Sequence, residues 1–166
     1  VLTQKTKDWS IYVCRSCGGL VAAGGPHNSS GQIDTIIPQP RVLDDAIPER
    51  PREYLQQALD TLHAPSASIM VSASAVDAML KVKGLSKGTL NARIDQATEQ
   101  HLITPEMAAW AHDVRLDAND ERHADENAAS PDHAQAKRCL EFALALAEYL
   151  FILPARVARG RRDSSA

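Results

Sequence analysis

Apolar residues change their spacing near residue 50, and this change predicts two structural regions. In residues 1–50, short apolar runs alternate with stretches rich in glycine and proline, a pattern typical of a small β and loop region. Two short strands are predicted there, over residues 9–13 and 33–37, and residues 24–31 are predicted to form a loop. Prolines between residues 38 and 51 then indicate an extended linker, because proline fixes φ and removes a backbone donor.

From residue 51 onward, apolar side chains recur every three or four residues, which predicts about five helices. Prolines suit the first turn of a helix, and Ser130 is a candidate N-cap for the last one. The predicted helices begin near residues 51, 66, 89, 105 and 131. The last helix runs to about residue 153 and is apolar on nearly every side in its second half, so it is expected to lie deepest.

These patterns predict a mainly α protein with three segments. Residues 1–50 form a small β and knuckle region with a proline-rich linker, and residues 51–154 form the helical bundle. Residues 155–166 form a basic tail that is expected to fray.

Composition narrows the class of protein. The chain has 166 residues, of which 44% are apolar and 23% charged, so a core can form and general disorder is excluded. A net charge of −3 disfavours a protein that coats nucleic acid through general basicity. The longest apolar stretch, residues 139–153, is too short for a membrane span and contains two glutamates. With three cysteines and no secretory signal, we expect a cytoplasmic protein without a membrane partner.

Cys14 and Cys17 form a CxxC motif, which suits one edge of a tetrahedral zinc site. A closed site needs four ligands, and His27 is the nearest further candidate. Two interpretations stay open: a degenerate knuckle without metal, or a structural zinc site completed by His27 or by residues upstream. No other cofactor is expected.

Arg115, Asn119 and His123 are spaced by four residues, so a helix that continues to His123 would place them on one face. Arginine binds phosphate in a bidentate manner, and histidine exchanges a proton near neutral pH. Because the 2′-OH of RNA is itself a nucleophile, such a site would cleave RNA without a metal. The alternative is that these residues make ordinary hydrogen bonds between helices.

Three stretches resemble the DUF4145 family, a branch of the HEPN superfamily of prokaryotic defence and toxin proteins. They are residues 9–18, residues 67–80, and residues 114–123 with the apolar helix that ends at residue 154. The family usually has glycine where Ala118 stands, and Asp77 matches its acidic residue in the second helix. Arg115 lies one turn earlier than the arginine of active HEPN ribonucleases.

The resemblance implies a HEPN-like helical bundle that forms a homodimer, with RNA or a larger defence protein as a further partner. Active members build a composite site from both chains, whereas many others are binding modules. We therefore expect a dimerising regulatory module of a phage-defence, toxin–antitoxin or nucleic-acid-metabolism system, because the acidic residues around His123 disfavour RNA phosphates. The alternative is a metal-independent endoribonuclease. His123 would then be the general acid and base, Asn119 would orient it, and Arg115 or Arg122 would stabilise the phosphorane.

Overall fold

The computed structural model describes residues 6–14, 18–27, 31–39, 42–123 and 130–163, which fall into two compact units. The first unit ends at Val42 and the second begins at Leu43. The division between the two units falls within the predicted proline-rich linker between residues 38 and 51, a few residues before the change of spacing near residue 50. The reason is that Ile47 is buried in the core of the helical unit, and Leu43 packs against that core.

The first unit contains an antiparallel sheet of three strands in the order β1-β2-β3. The strands are β1 (Lys7–Val13), β2 (Leu20–Pro26) and β3 (Thr35–Ile37). The two predicted strands are confirmed in β1 and β3, but β2 was missed because its glycines suggested a loop. In the sheet Gly24 pairs with Trp9, and a Cβ on Gly24 would lie 3.0 Å from the Trp9 ring. This glycine therefore allows close packing inside a strand.

The second unit is helical, and its helices agree with the predicted periodicity. They are α1 (Glu49–Asp60), α2 (Pro65–Val82), α3 (Leu90–Glu99), α4 (Pro105–His123) and α5 (His133–Ala147). The predicted fold class, mainly α with an N-terminal β region, is confirmed. One cap was predicted wrongly: Asp132 rather than Ser130 caps α5, because its carboxylate accepts the Gln135 N–H at 2.7 Å.

The centre of the helical unit is α2, which packs against α1, α3, α4 and α5. Its small side chains allow this close approach, and the buried Ser68 hydroxyl donates to the Ala58 carbonyl of α1 at 2.8 Å. The last helix was expected to be central in the bundle or buried in a dimer; within one chain the central position belongs to α2 instead. On α5, Phe142 and Leu146 are buried, whereas Leu144 is only partly covered.

The last helix also continues beyond its predicted end. After α5, residues Glu148–Ile152 form a π turn, and α6 spans Leu153–Asp163. The basic segment that was predicted as a frayed tail is thus helical up to Asp163. Pro154 does not end the helix because the wider π turn directly before it separates its ring from the preceding turn. No helix in the described ranges is long and apolar enough to cross a membrane.

Candidate functional site

The predicted site residues of the helical unit lie on α4. Pro105 occupies its first turn, and the Thr104 hydroxyl accepts the Met107 N–H at 3.2 Å, so the sequence favours a helix start here. The helix extends to His123, and positions 115, 119 and 123 therefore share one face, as their spacing predicted.

Arg115 and Asn119 differ in their surroundings. Arg115 is half-buried, and its Nε is buried without a hydrogen-bond partner among the described residues. Asn119, one turn later, is exposed. The side chains of Arg122 and His123 lie outside the described part of the chain, so the roles predicted for them stay predictions.

The two flanks of α4 contact different neighbours. On the flank of Arg115, the ring Nε2 of His112 lies 3.1 Å from the Asp95 carboxylate of α3. On the other flank, the Trp110 ring lies 5.1 Å from the Phe142 ring of α5. Asp117 also faces α5, so it does not share a flank with Arg115.

Asp117 holds α4 to α5 through two hydrogen bonds. Its carboxylate accepts the Gln135 amide at 3.0 Å and the Cys139 thiol at 3.3 Å. Burial and the adjacent carboxylate raise the pKa of Cys139 to about 12. The thiol therefore stays protonated at neutral pH and does not act as a nucleophile. The sequence placed Cys139 on an apolar helix face but contained no signal for this partner.

The outer surface of α4 is acidic. Asp113 and Asp120 are exposed on this helix, and Asp120 directly follows Asn119. These carboxylates repel anions, so the surface beside Asn119 is unfavourable for a phosphate backbone.

The predicted zinc ligands Cys14 and His27 lie at opposite ends of the β1–β2 hairpin. Lys7 pairs with Pro26 at the end of the hairpin next to His27, whereas Val13 pairs with Leu20 at the other end, next to Cys14. A strand of seven residues spans roughly 20 Å, whereas zinc binds its ligands at about 2 Å. His27 therefore does not complete a site with Cys14, and its Nδ1 lies 2.8 Å from the Asp8 carboxylate instead.

Cys17 lies outside the described residues. Across the described ranges, no three His, Cys, Asp or Glu side chains are placed to hold a metal ion.

A further charged cluster, which the sequence did not predict, joins α2 to α3. The Asp77 carboxylate forms ion pairs with Arg93 of α3 and with Lys81 one turn later on α2. The spacing of Asp77 and Lys81 is visible in the sequence, but the contact with Arg93 depends on how the two helices pack.

The helical region matches a known family. A family model described as a domain of unknown function, DUF4145, matches residues 55–163. No curated protein and no solved structure matches this chain.

Proposed function

This chain belongs to the DUF4145 family. We propose that it is a dimerising, non-catalytic module that binds or regulates a partner. The proposed setting is a prokaryotic defence or nucleic-acid-metabolism system in the cytoplasm. The bundle is proposed to be HEPN-like. Its direct partners are a second copy of the chain and a larger protein or RNA of that system.

The observation that carries the proposal is the isolation of α6. Among the described elements, only the π turn before α6 makes extensive contact with it. α6 prolongs the helix that begins with α5, but its 11 residues include Pro154 and Gly160, which are poor helix formers, and it has little packing against the other helices described. Its stability therefore favours a covering surface from another chain.

An exposed apolar stripe marks the face of α6 that such a surface would cover. Tyr149, Leu153 and Val157 recur at four-residue steps along the π turn and α6, and all three are exposed. Large apolar side chains aligned on one helix face favour an interface over solvent.

Charge complementarity favours a second copy as the occupant. α6 carries four arginines, of which Arg156 is paired with Glu148 of the π turn, and Asp113 and Asp120 are exposed on α4. In a two-fold dimer each copy would offer its basic α6 to the acidic face of the other, so the attraction would occur twice. The arginines are Arg156, Arg159, Arg161 and Arg162.

Sedimentation or light scattering of the full chain at tens of micromolar tests the dimer. We expect a dimer for the wild type and a monomer for the Leu153→Glu, Val157→Glu double variant. Met70→Glu is the matched control, because Met70 is an exposed apolar residue of α2 at 36%, close to Leu153 at 42%. A monomeric wild type, or a double variant that still dimerises, would contradict the proposal.

An RNA cleavage assay tests the non-catalytic part. We expect the purified protein to leave single-stranded and structured RNA uncut, because in the proposed dimer the face of α4 that carries Asp113 and Asp120 is covered by α6 of the second copy. The alternative, a metal-independent endoribonuclease, requires cleavage that survives EDTA and falls about 10²–10⁴-fold in His123→Ala with the dimer intact. That result would replace the module proposal.

A further inference from the structure

A cleft of about 820 Å³ lies between α1, α2 and α3. Its volume is in the range of sites for small organic ligands, and it is far larger than a bare inorganic anion needs. The cleft lies within the helical unit, away from the face that carries Arg115 and Asn119.

Among the described residues, three cationic side chains line this cleft, one from each helix. They are Arg50 of α1, Lys81 of α2 and Arg93 of α3, and Asp77 is the one carboxylate in this part of the lining. Asp77 is shared between Lys81 and Arg93, and Arg50 is paired with Glu53 at 3.1 Å, so two carboxylates face three cations. The lining therefore carries an excess of positive charge that favours an anion.

Arg93 is the most deeply placed of these cations. Its side chain is only 10% exposed, and its Nε is buried without a hydrogen-bond partner in the described residues. Its other nitrogens contact Asp77 and, at 3.4 Å, the Ser86 carbonyl. Burying a guanidinium with an unpaired N–H group lowers the stability of the fold unless that group binds a ligand or joins a hydrogen-bond network.

The N-terminus of α3 reinforces the positive potential. Thr89 caps this helix by accepting the Ala92 N–H, and both Thr89 and Leu90 line the cleft. The first turn of a helix carries the positive end of its dipole and favours phosphate groups.

The remaining lining suits the organic part of a ligand. Ala73, Ala78, Val82 and Leu90 supply apolar surface, and Tyr54 supplies an aromatic ring. The Arg50 guanidinium lies 4.5 Å from the centre of that ring and 2.7 Å from the Tyr54 hydroxyl, so Tyr54 orients one cation of the cleft.

We propose that this cleft binds a small phosphate monoester, with the phosphate between Lys81, Arg93 and the start of α3 and the organic group on the apolar side. Arg50, at the rim, would add a second guanidinium contact. Arginine and lysine together bind phosphate through charge-assisted hydrogen bonds. None of the described lining residues belongs to the π turn or to α6, so this proposal does not rest on the proposed dimer.

Calorimetry with the full chain tests this site, with AMP and glucose 6-phosphate as probes. Adenosine is the control for the organic group of a ligand, and inorganic phosphate is the control for its phosphate group. We expect at least one phosphate monoester to bind more tightly than either control. No binding of either monoester at millimolar concentrations would overturn the proposal, as would inorganic phosphate binding equally tightly.

Two exposed lining residues provide variants that keep the fold. Arg50→Gln and Lys81→Gln are each expected to weaken monoester binding about tenfold, the loss of one hydrogen bond to a charged group. Lys137→Gln on α5 is the matched control, because Lys137 is an exposed lysine paired with Glu141 outside the cleft. Circular dichroism checks each fold. Unchanged affinity in both cleft variants would show that the ligand binds elsewhere.

Discussion

Cys139 of α5 donates its thiol hydrogen to the carboxylate of Asp117 on α4, with 3.3 Å between Sγ and Oδ2. The thiol is buried and faces a negative charge, so its ionised form is disfavoured and its pKa rises to about 12. In the unfolded chain an ordinary cysteine ionises near pH 8.5. The folded protein therefore keeps a proton here that the unfolded chain loses.

This difference predicts a loss of stability in alkali. Between about pH 8.5 and 12 the folded state binds more protons at Cys139 than the unfolded state, so the free energy of unfolding falls as pH rises. By pH 10 the titration of Cys139 is expected to have lowered the free energy of unfolding by roughly 2 kcal/mol. Urea unfolding of wild type and Cys139→Ser at pH 8 and pH 10 measures it. The variant should lose less stability over that interval, and equal losses would contradict the assigned pKa.

Two leucines on α5 should respond differently to truncation. Leu146 is 1% exposed in the core, whereas Leu144 lies on the partly covered side of the same helix. Leu146→Ala should therefore lower the free energy of unfolding by about 2–5 kcal/mol, and Leu144→Ala should cost less than about 2 kcal/mol. Chemical denaturation of the two variants gives the comparison. A larger cost at Leu144 would mean that a partner covers it.

The ion pair between Asp77 and Arg93 should contribute strongly to stability. Asp77→Asn removes the carboxylate from an arginine that is only 10% exposed, while Asp77 itself is 22% exposed. We expect the free energy of unfolding to fall by about 3 kcal/mol, which is near the lower end of the range for breaking a buried ion pair. Glu99→Gln, at an exposed position on α3, is the control and should change stability by less than about 0.5 kcal/mol. Equal effects would contradict the assigned role of Asp77.

Two glycines should show opposite responses to alanine. A Cβ on Gly25 would lie 1.8 Å from the Gln32 carbonyl oxygen, so Gly25→Ala should disrupt the sheet. Apart from the neighbouring backbone of its own helix, no heavy atom of the described residues lies within 4 Å of a Cβ at Gly160, so Gly160→Ala should stabilise α6 by about 0.5–1 kcal/mol through helix propensity. Amide hydrogen exchange resolves both effects by segment. Unchanged protection of the sheet in Gly25→Ala would contradict the register.

Zinc content should stay well below one ion per chain after purification. His27 lies at the far end of the hairpin from Cys14, so the two thiols of the CxxC motif lack this third ligand. Two thiolates alone hold zinc weakly compared with a closed site of four ligands. Elemental analysis of dialysed protein provides the measurement. One tightly held zinc per chain would show that other ligands complete the site.

The sequence by itself determined the local structure of this protein. The three- and four-residue spacing of apolar side chains predicted the helices, and Pro105 and the residues around Thr89 fixed where helices begin. The four-residue step from Arg115 to Asn119 placed both on one face. These features depend only on helix geometry and on neighbours within a few residues, so they can be predicted from the sequence.

Only the tertiary structure decided which side chains meet across elements. The contacts of Cys139 with Asp117 and of Arg93 with Asp77 join residues 22 and 16 positions apart, and the hairpin register separates Cys14 from His27. The cleft between α1, α2 and α3 arises in the same way. Such contacts depend on the order in which the helices pack and on the angles between them. The small side chains of the central α2 allow close packing, but their spacing in the sequence does not determine which helices pack there.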